Sequence, residues 1–291
     1  MRLFIHALLP LLLVGASLST TGCQPTAQPP GPGVPPAPVG KQAQPAATAD
    51  EFWTAALQEV YKSPLELQAQ HETEIAKGLH YRKLMHGDPA SRQIAITFDD
   101  GPHPQYTPKL LSILDQYHAK ATFFLVGEKA EAAPDLVKAE VAAGHSVGNH
   151  TYHHVNLTKI PERLVATEIL ACGNVLKSIT GTDAHLFRPP GGDYNSLVAE
   201  TANGLDYTIV LWTDDPGDYA SPGKRVIEQR TLDNLSPGGI ILIHDGVQQT
   251  VDILPQLLQS LKDRGFECVT IDEMMKGKCN EGSRAISAQG R

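Results

Sequence analysis

The 291-residue sequence predicts an α/β fold built on a largely parallel sheet. Three observations carry that reading. Beyond Asp100, strand-like and helix-like runs alternate along the chain, the pattern of consecutive β-α units. The strand-like runs are short and largely apolar: "IAITF", "KATFFLV", "HSVGNH", "AHLFRP", "YTIVLW", "GIILIH" and "ECVTI". Seven such runs are enough to curl into a barrel. Several of them end in acids, imidazoles or a guanidinium, and barrels of this type gather their chemistry at the carboxyl ends of strands.

The elements follow in order. Arg2 precedes an apolar run, "LFIHALLPLLLVGASL", and then "STTGCQ". A basic start, a short apolar core and a small-residue exit describe a secretory signal over residues 1–22, too short and interrupted for a membrane span. Cys23 after Gly22 resembles a lipobox cysteine, which would carry a lipid; simple cleavage and a retained anchor are the alternatives. Residues 23–49 are Pro-rich and lack aromatic residues, which predicts an extended tether. Over 50–91 we expect a lead-in: a helical stripe of Phe52, Trp53, Ala56, Leu57 and Val60, an interruption at Pro64, and two strands joined by a Gly-Asp-Pro turn. Residues 92–277 form the main domain, with helices expected near 105–117, 130–143, 161–179, 195–203, 224–235 and 251–264. Residues 278–291 form a tail.

The net charge of -8 argues against non-specific binding to nucleic acid or to anionic membranes. It is compatible with a neutral glycan. Export would place Cys172, Cys268 and Cys279 in an oxidising compartment. Any two of them could bridge, and the odd count leaves one thiol over.

The strand exits hold the chemistry. "IAITF" runs into Asp99, Asp100, Gly101 and Pro102. Neighbours on a regular strand point to opposite faces, but a turn forced at Gly-Pro could swing both carboxylates toward one pocket. A divalent cation would relieve their repulsion. Asp100 then binds metal and Asp99 stays free as a base. In "HTYHH", His150 and His154 are four apart, which on a helical turn puts both imidazoles on one side. His153 would face elsewhere. Thr151 stands where a zinc protease motif has its glutamate, so the base must come from another segment. One carboxylate, two imidazoles and water make an open site suited to catalytic zinc. Arg188 and His244 end two further strands.

In chain order, "TFDDG", "HTYHH", "RPPG", "DY" and "LIH" resemble the five motifs of NodB-type polysaccharide deacetylases, carbohydrate esterase family four. The resemblance covers roughly residues 90–275. It implies a distorted (β/α) barrel of about seven strands and removal of acetyl groups from N-acetylated sugars in peptidoglycan, chitin or related polymers. It also implies roles. Asp99 is the general base; Asp100, His150 and His154 hold the metal, zinc first, with cobalt or another divalent ion as alternatives. Arg188 orients Asp99, His244 is the general acid, Asp218 pairs with His244, and Leu242 lines the acetyl pocket. Gly191 stands where many members carry a tyrosine; it keeps the backbone N–H that serves as an oxyanion donor but lacks the aromatic wall, for which Tyr194 is the candidate. Tyr219 replaces the usual tryptophan after the pairing aspartate, and Asp214 and Asp215 are rival partners for His244. Trp212 is expected in the core.

The expected function is therefore metal-dependent N-deacetylation of an envelope glycan, with attachment to a membrane through a lipid on Cys23. An O-acetyl esterase of the same fold and an inactive glycan-binding module are the alternatives.

Overall fold

The computed structural model describes residues 56–57 and 60–276. The signal, Cys23, the tether, most of the first lead-in helix, Cys279 and the tail lie outside the described residues.

Eight strands form one sheet in the order β1-β6-β5-β4-β3-β2-β7, with β8 paired to β2. They are β1 (Lys83–Leu84), β2 (Gln93–Gly101), β3 (Ala121–Leu125), β4 (Ser146–Asn149), β5 (Leu186–Phe187), β6 (Thr208–Val210), β7 (Ile240–His244) and β8 (Glu267–Cys268). Every pairing is parallel. The expected α/β architecture with about seven parallel strands is present. The sheet is not a closed barrel: β1 and β7 end the strand order, and an isolated parallel bridge from Asp214, just beyond β6, to Ile241 of β7 spans part of the gap.

α1 (Pro64–Ala76) precedes the sheet, and α2 (Thr107–Gln116), α3 (Gly127–Ala132), α4 (Pro134–Ala142), α5 (Glu162–Thr180), α6 (Ser196–Gly204), α7 (Lys224–Asn234) and α8 (Gln248–Asp263) lie between the strands from β2 to β8. The stripe expected before Pro64 lies mostly outside the described residues; residues 60–63 are not helical, and Pro64 opens α1 at a position where its missing N–H costs nothing, with Ser63 and Glu66 forming a reciprocal capping box. The stretch expected near 130–143 is two helices meeting at Pro134, since proline cannot continue α3. On α8, Val251, Leu254, Leu257, Leu258 and Leu261 are buried, a stripe at helical spacing.

Two apolar clusters pack against the sheet. One contains Phe124, Phe187, Ile209, Trp212 and Leu242; the other contains Phe98, Phe123, Leu110, Leu125 and Leu254. Trp212 is in the core, as expected.

The lead-in hairpin does not form. β1 and β2 are not paired; β1 adds in parallel to β6 at the far end of the sheet, Lys83 opposite Ile209 and Leu84 opposite Val210. The Gly-Asp-Pro stretch carries the chain across rather than back. Cys172 and Cys268 are both free thiols, so the bridge between them does not exist. Burial pushes each thiol up to about 12, which leaves both inert as nucleophiles. Among the described residues, no helix is long and apolar enough to cross a membrane.

Candidate active site

The site lies at the carboxyl ends of β2, β4 and β7, and its first feature is a bulge. Asp99 pairs with Phe124 of β3 and Gly101 with Leu125, so Asp100 is an extra residue in the ladder. Its φ is +70°, a left-handed conformation costly for a non-glycine residue. The bulge breaks the alternation of the strand, and both carboxylates reach the same imidazole. His150 Nε2 is 3.6 Å from Asp99 Oδ2 and 3.4 Å from Asp100 Oδ1.

His150 follows β4 directly, and His154 lies in the loop beyond it. This loop is not helical. Thr151 and His154 adopt φ of +64° and +56°, and these two left-handed residues turn the chain so that the imidazoles converge, with ring centres 4.9 Å apart. The helical turn expected from the spacing is absent; a strained loop produces the same convergence. His150 Nδ1–H donates to the Arg188 carbonyl at 2.7 Å, which fixes the tautomer and leaves Nε2 facing Asp100. His154 Nε2 is 3.0 Å from Asp100 Oδ1. His153 points away and bonds Glu168 at 2.7 Å.

One ligand atom each from Asp100, His150 and His154 falls within 4.8 Å of the others. Asp100 Oδ1 is buried, with the two imidazole nitrogens as its polar neighbours among the described residues. Burial alone would raise this carboxyl, but contacts from the His150 and His154 imidazoles outweigh it and hold its pKa well below the usual carboxylate range. One carboxylate oxygen and two ring nitrogens, converging on one point, fit a divalent cation.

Asp99 is 3% exposed. Its Oδ1 accepts from Arg188 Nη1 at 2.7 Å, while Oδ2 faces the cluster. Arg188 is fully buried; it also donates to Thr97 Oγ1 at 2.7 Å and to the Val210 carbonyl at 3.1 Å, and its guanidinium lies 4.1 Å above the Phe124 ring. The arginine is thereby locked in place, and it locks one oxygen of Asp99.

β7 runs beside β2, with Leu242 opposite Thr97 and His244 opposite Asp99. Leu242 is buried and lies two residues before His244 on β7, so the two share a strand face. His244 Nδ1 is 2.7 Å from Asp218 Oδ1, and its N–H donates to Asp218 Oδ2 at 2.8 Å. Of the three nearby aspartates, Asp218 alone makes these bonds. Asp214 makes neither bond to His244, its oxygens being buried away from it, and Asp215 accepts from the Gly217 N–H. Burial opposes the imidazolium of His244, but Asp218, with Asp100 and Asp99 beyond it, raises its pKa to about 9. His244 Nε2 is buried and has no hydrogen-bond partner among the described residues.

Gly191 sits in a short turn after Arg188, with φ +62°. Its N–H has no partner among the described residues. A Cβ there would meet the Val60 carbonyl oxygen at 2.1 Å, so only glycine fits. Tyr194 does not supply the missing wall. It is 3% exposed, and its hydroxyl accepts from Lys83 Nζ at 2.9 Å, drawn inward by an ion pair between Lys83 and Glu74. Tyr61 instead stacks on Tyr219, with ring centres 4.0 Å apart. Sequence reasoning missed Tyr61 and Thr97. The only signal for Tyr61 is indirect: an aromatic lost at Gly191 leaves a wall for another ring to fill.

Residues 86–210 match the family model described as "Polysaccharide deacetylase". A peptidoglycan-N-acetylglucosamine deacetylase of Bacillus cereus is 41% identical over 190 residues, covering 64% of this chain and 89% of the relative. The chain belongs to the polysaccharide deacetylase family. Among solved structures, the Bc1960 peptidoglycan N-acetylglucosamine deacetylase superposes with TM-score 0.66 at 34% identity, over 69% of this chain and 95% of that one. BA3943, a pseudoenzyme of carbohydrate esterase family four from Bacillus anthracis, superposes with TM-score 0.64 at 27% identity, over 68% of this chain and 70% of that one. Activity in this family therefore depends on the residues at the site and not on the fold alone.

Proposed function

We propose that this polysaccharide deacetylase is a metal-dependent hydrolase that removes N-acetyl groups from N-acetylglucosamine units of an envelope glycan, peptidoglycan first. One observation carries the reading: an acid held by an arginine, Asp99, stands beside the Asp100, His150 and His154 cluster and opposite a histidine held by an acid, His244. Deacetylation needs a base for water and an acid for the departing amine, and the two groups face each other across one site. The named activity of the Bacillus cereus relative supports the substrate class.

When bound, a divalent cation held by Asp100, His150 and His154 supplies Lewis acidity to the acetamide carbonyl and the attacking water. Zinc suits the one-oxygen, two-nitrogen donor set, with cobalt next. Asp99 Oδ2 takes a proton from the water as its oxygen attacks the carbonyl carbon. Arg188 keeps Oδ1 fixed, so the proton goes to Oδ2. Negative charge collects on the former carbonyl oxygen, where the Gly191 N–H can donate; one such donor is worth about 3–4 kcal/mol. His244 Nε2 then protonates the nitrogen as the C–N bond breaks, giving acetate and a free amine. Asp218 holds Nδ1 and stabilises the imidazolium that donates. Leu242 lines the acetyl side of the pocket.

All acid, base and ligand positions are occupied by competent residues, which sets an active enzyme above an idle glycan-binding module. Export and attachment through a lipid on Cys23, on the Pro-rich tether, would hold the domain at the envelope where such a glycan lies. Acetate release from N-acetylated peptidoglycan fragments, chitin oligomers and acetylxylan, each with and without chelator, tests the reading. Chelator-sensitive release from the first two supports it. Release from acetylxylan alone supports the ester alternative, and binding without release supports the glycan-binding module.

A further inference from the structure

The segment ahead of α1 reaches the site from outside the stretch that matches the family, which begins at residue 86. Lys62 N–H donates to the Gly191 carbonyl at 2.9 Å, and the Val60 carbonyl occupies the space that any side chain at 191 would need. Gly191 and residues 60–62 thus form one fitted junction. Lys62 is anchored further, by Asp193 at 3.0 Å and Gln70 at 2.6 Å. Asp193 is itself held by Asn156 at 3.0 Å and Thr158 at 2.9 Å. The capping box at Ser63 follows immediately. Tyr61 is therefore set between fixed neighbours.

Its ring lies on Tyr219 at 4.0 Å and 16°, and both rings stand edge-on to His244 at 5.4 Å, at 88° and 79°. Tyr219 is 39% exposed. A rigid aromatic pair beside the proposed proton donor, with one member open to solvent, suits the apolar C–H face of a pyranose ring. Flat, well-held aromatics bind such surfaces at little entropic cost.

We propose that Tyr61 is a specificity-determining residue: it supplies the wall that Gly191 cannot, and with Tyr219 it forms a subsite for a sugar unit next to the one that loses its acetyl group. The inference rests on the deacetylase reading for its substrate class. Its consequence is that the lead-in belongs to the active site, and that the enzyme distinguishes chains from single sugars through it.

The test uses the full chain with its metal. Tyr61→Ala is expected to raise KM for the N-acetylglucosamine tetramer about tenfold, with kcat held within about twofold. Tyr61→Phe, which keeps the ring and loses the hydroxyl, restores the wild-type KM. An unchanged KM in Tyr61→Ala, or a loss confined to kcat, overturns the assignment, because either leaves Tyr61 as mere packing on His244. Calorimetric titration with the fully deacetylated glucosamine tetramer, which does not turn over, separates this inference from the deacetylase reading. Binding about tenfold weaker in Tyr61→Ala than in wild type supports the subsite even if no acetate is ever released. Equal binding, or no binding to either protein, overturns it.

Discussion

Asp99 and His244 are register partners on adjacent parallel strands, β2 and β7. Each is fixed from behind by a residue of opposite charge character: Arg188 holds Asp99 at 2.7 Å, and Asp218 holds His244 at 2.7 Å. The sheet itself sets the spacing between the proposed base and acid. Neither side chain has to be brought in by a loop that moves.

The acid should control the alkaline side of the pH profile. His244 must carry a proton to donate one, so kcat/KM falls as pH rises through its pKa, raised to about 9 by Asp218 and the carboxylates beyond. A bound cation adds positive charge nearby and brings that limb lower. In Asp218→Asn the main raising partner is gone. The limb should move down by about one pH unit or more, with a lower plateau. A limb that stays in place in the variant would remove His244 from the role.

Arg188 is buried, and among the described residues its guanidinium has one charged partner at bonding distance, Asp99. Arg188→Met leaves the carboxylate buried and unpaired. Removing one member of such a pair costs about 3–5 kcal/mol, which urea unfolding followed by tryptophan fluorescence will read. A loss below about 1 kcal/mol would mean that Asp99 reaches solvent.

Asp214 carries a different pH signature. Burial, and then the neighbouring Asp215, push its pKa from 3.8 to about 8. Between those values the folded protein holds a proton that the unfolded chain has released, so this group's contribution to stability declines as pH rises from about 4 to about 8. Asp214→Asn should change stability little at pH 4 and confer a gain that grows up to pH 8. Thermal melts across that range check it; a difference independent of pH would contradict the assignment.

Gly191 has no room for a side chain. Gly191→Ala would place a methyl group 2.1 Å from the Val60 carbonyl oxygen, at φ +62°. The backbone cost is about 1–2 kcal/mol, and the lead-in must lift. Hydrogen exchange at the Lys62 amide, which donates to Gly191, should accelerate markedly, while exchange in β3 stays as in wild type. Unchanged protection at Lys62 would show that the junction is loose.

The sequence carried much of the fold because its strands are apolar runs with polar exits, and burial forces that pattern on any parallel sheet. The residues at Asp99, Asp100, His150, Arg188 and His244 were legible for the same reason. What was not legible depended on local geometry. The spacing of His150 and His154 suggested a helical turn, whereas left-handed residues at Thr151 and His154 bring the rings together. Nothing in the sequence marks Asp100 as a bulge. β1 is two residues long, and its pairing with β6 is a long-range choice that periodicity does not record. Tyr194 is the sequence's candidate for the wall absent at Gly191, but it is buried and its hydroxyl bonds Lys83. Tyr61 was missed because its partner, Tyr219, is far along the chain.

The central claim separates a base from the ligands beside it, and metal content measured alongside activity tests it most directly. Asp99→Asn should retain about one equivalent of divalent cation per chain while acetate release falls about 10²–10⁴-fold. His154→Ala should lose the cation and the activity together. If Asp99→Asn sheds its metal as His154→Ala does, or if His154→Ala keeps both metal and turnover, the division of labour between Asp99 and the Asp100, His150 and His154 cluster is wrong.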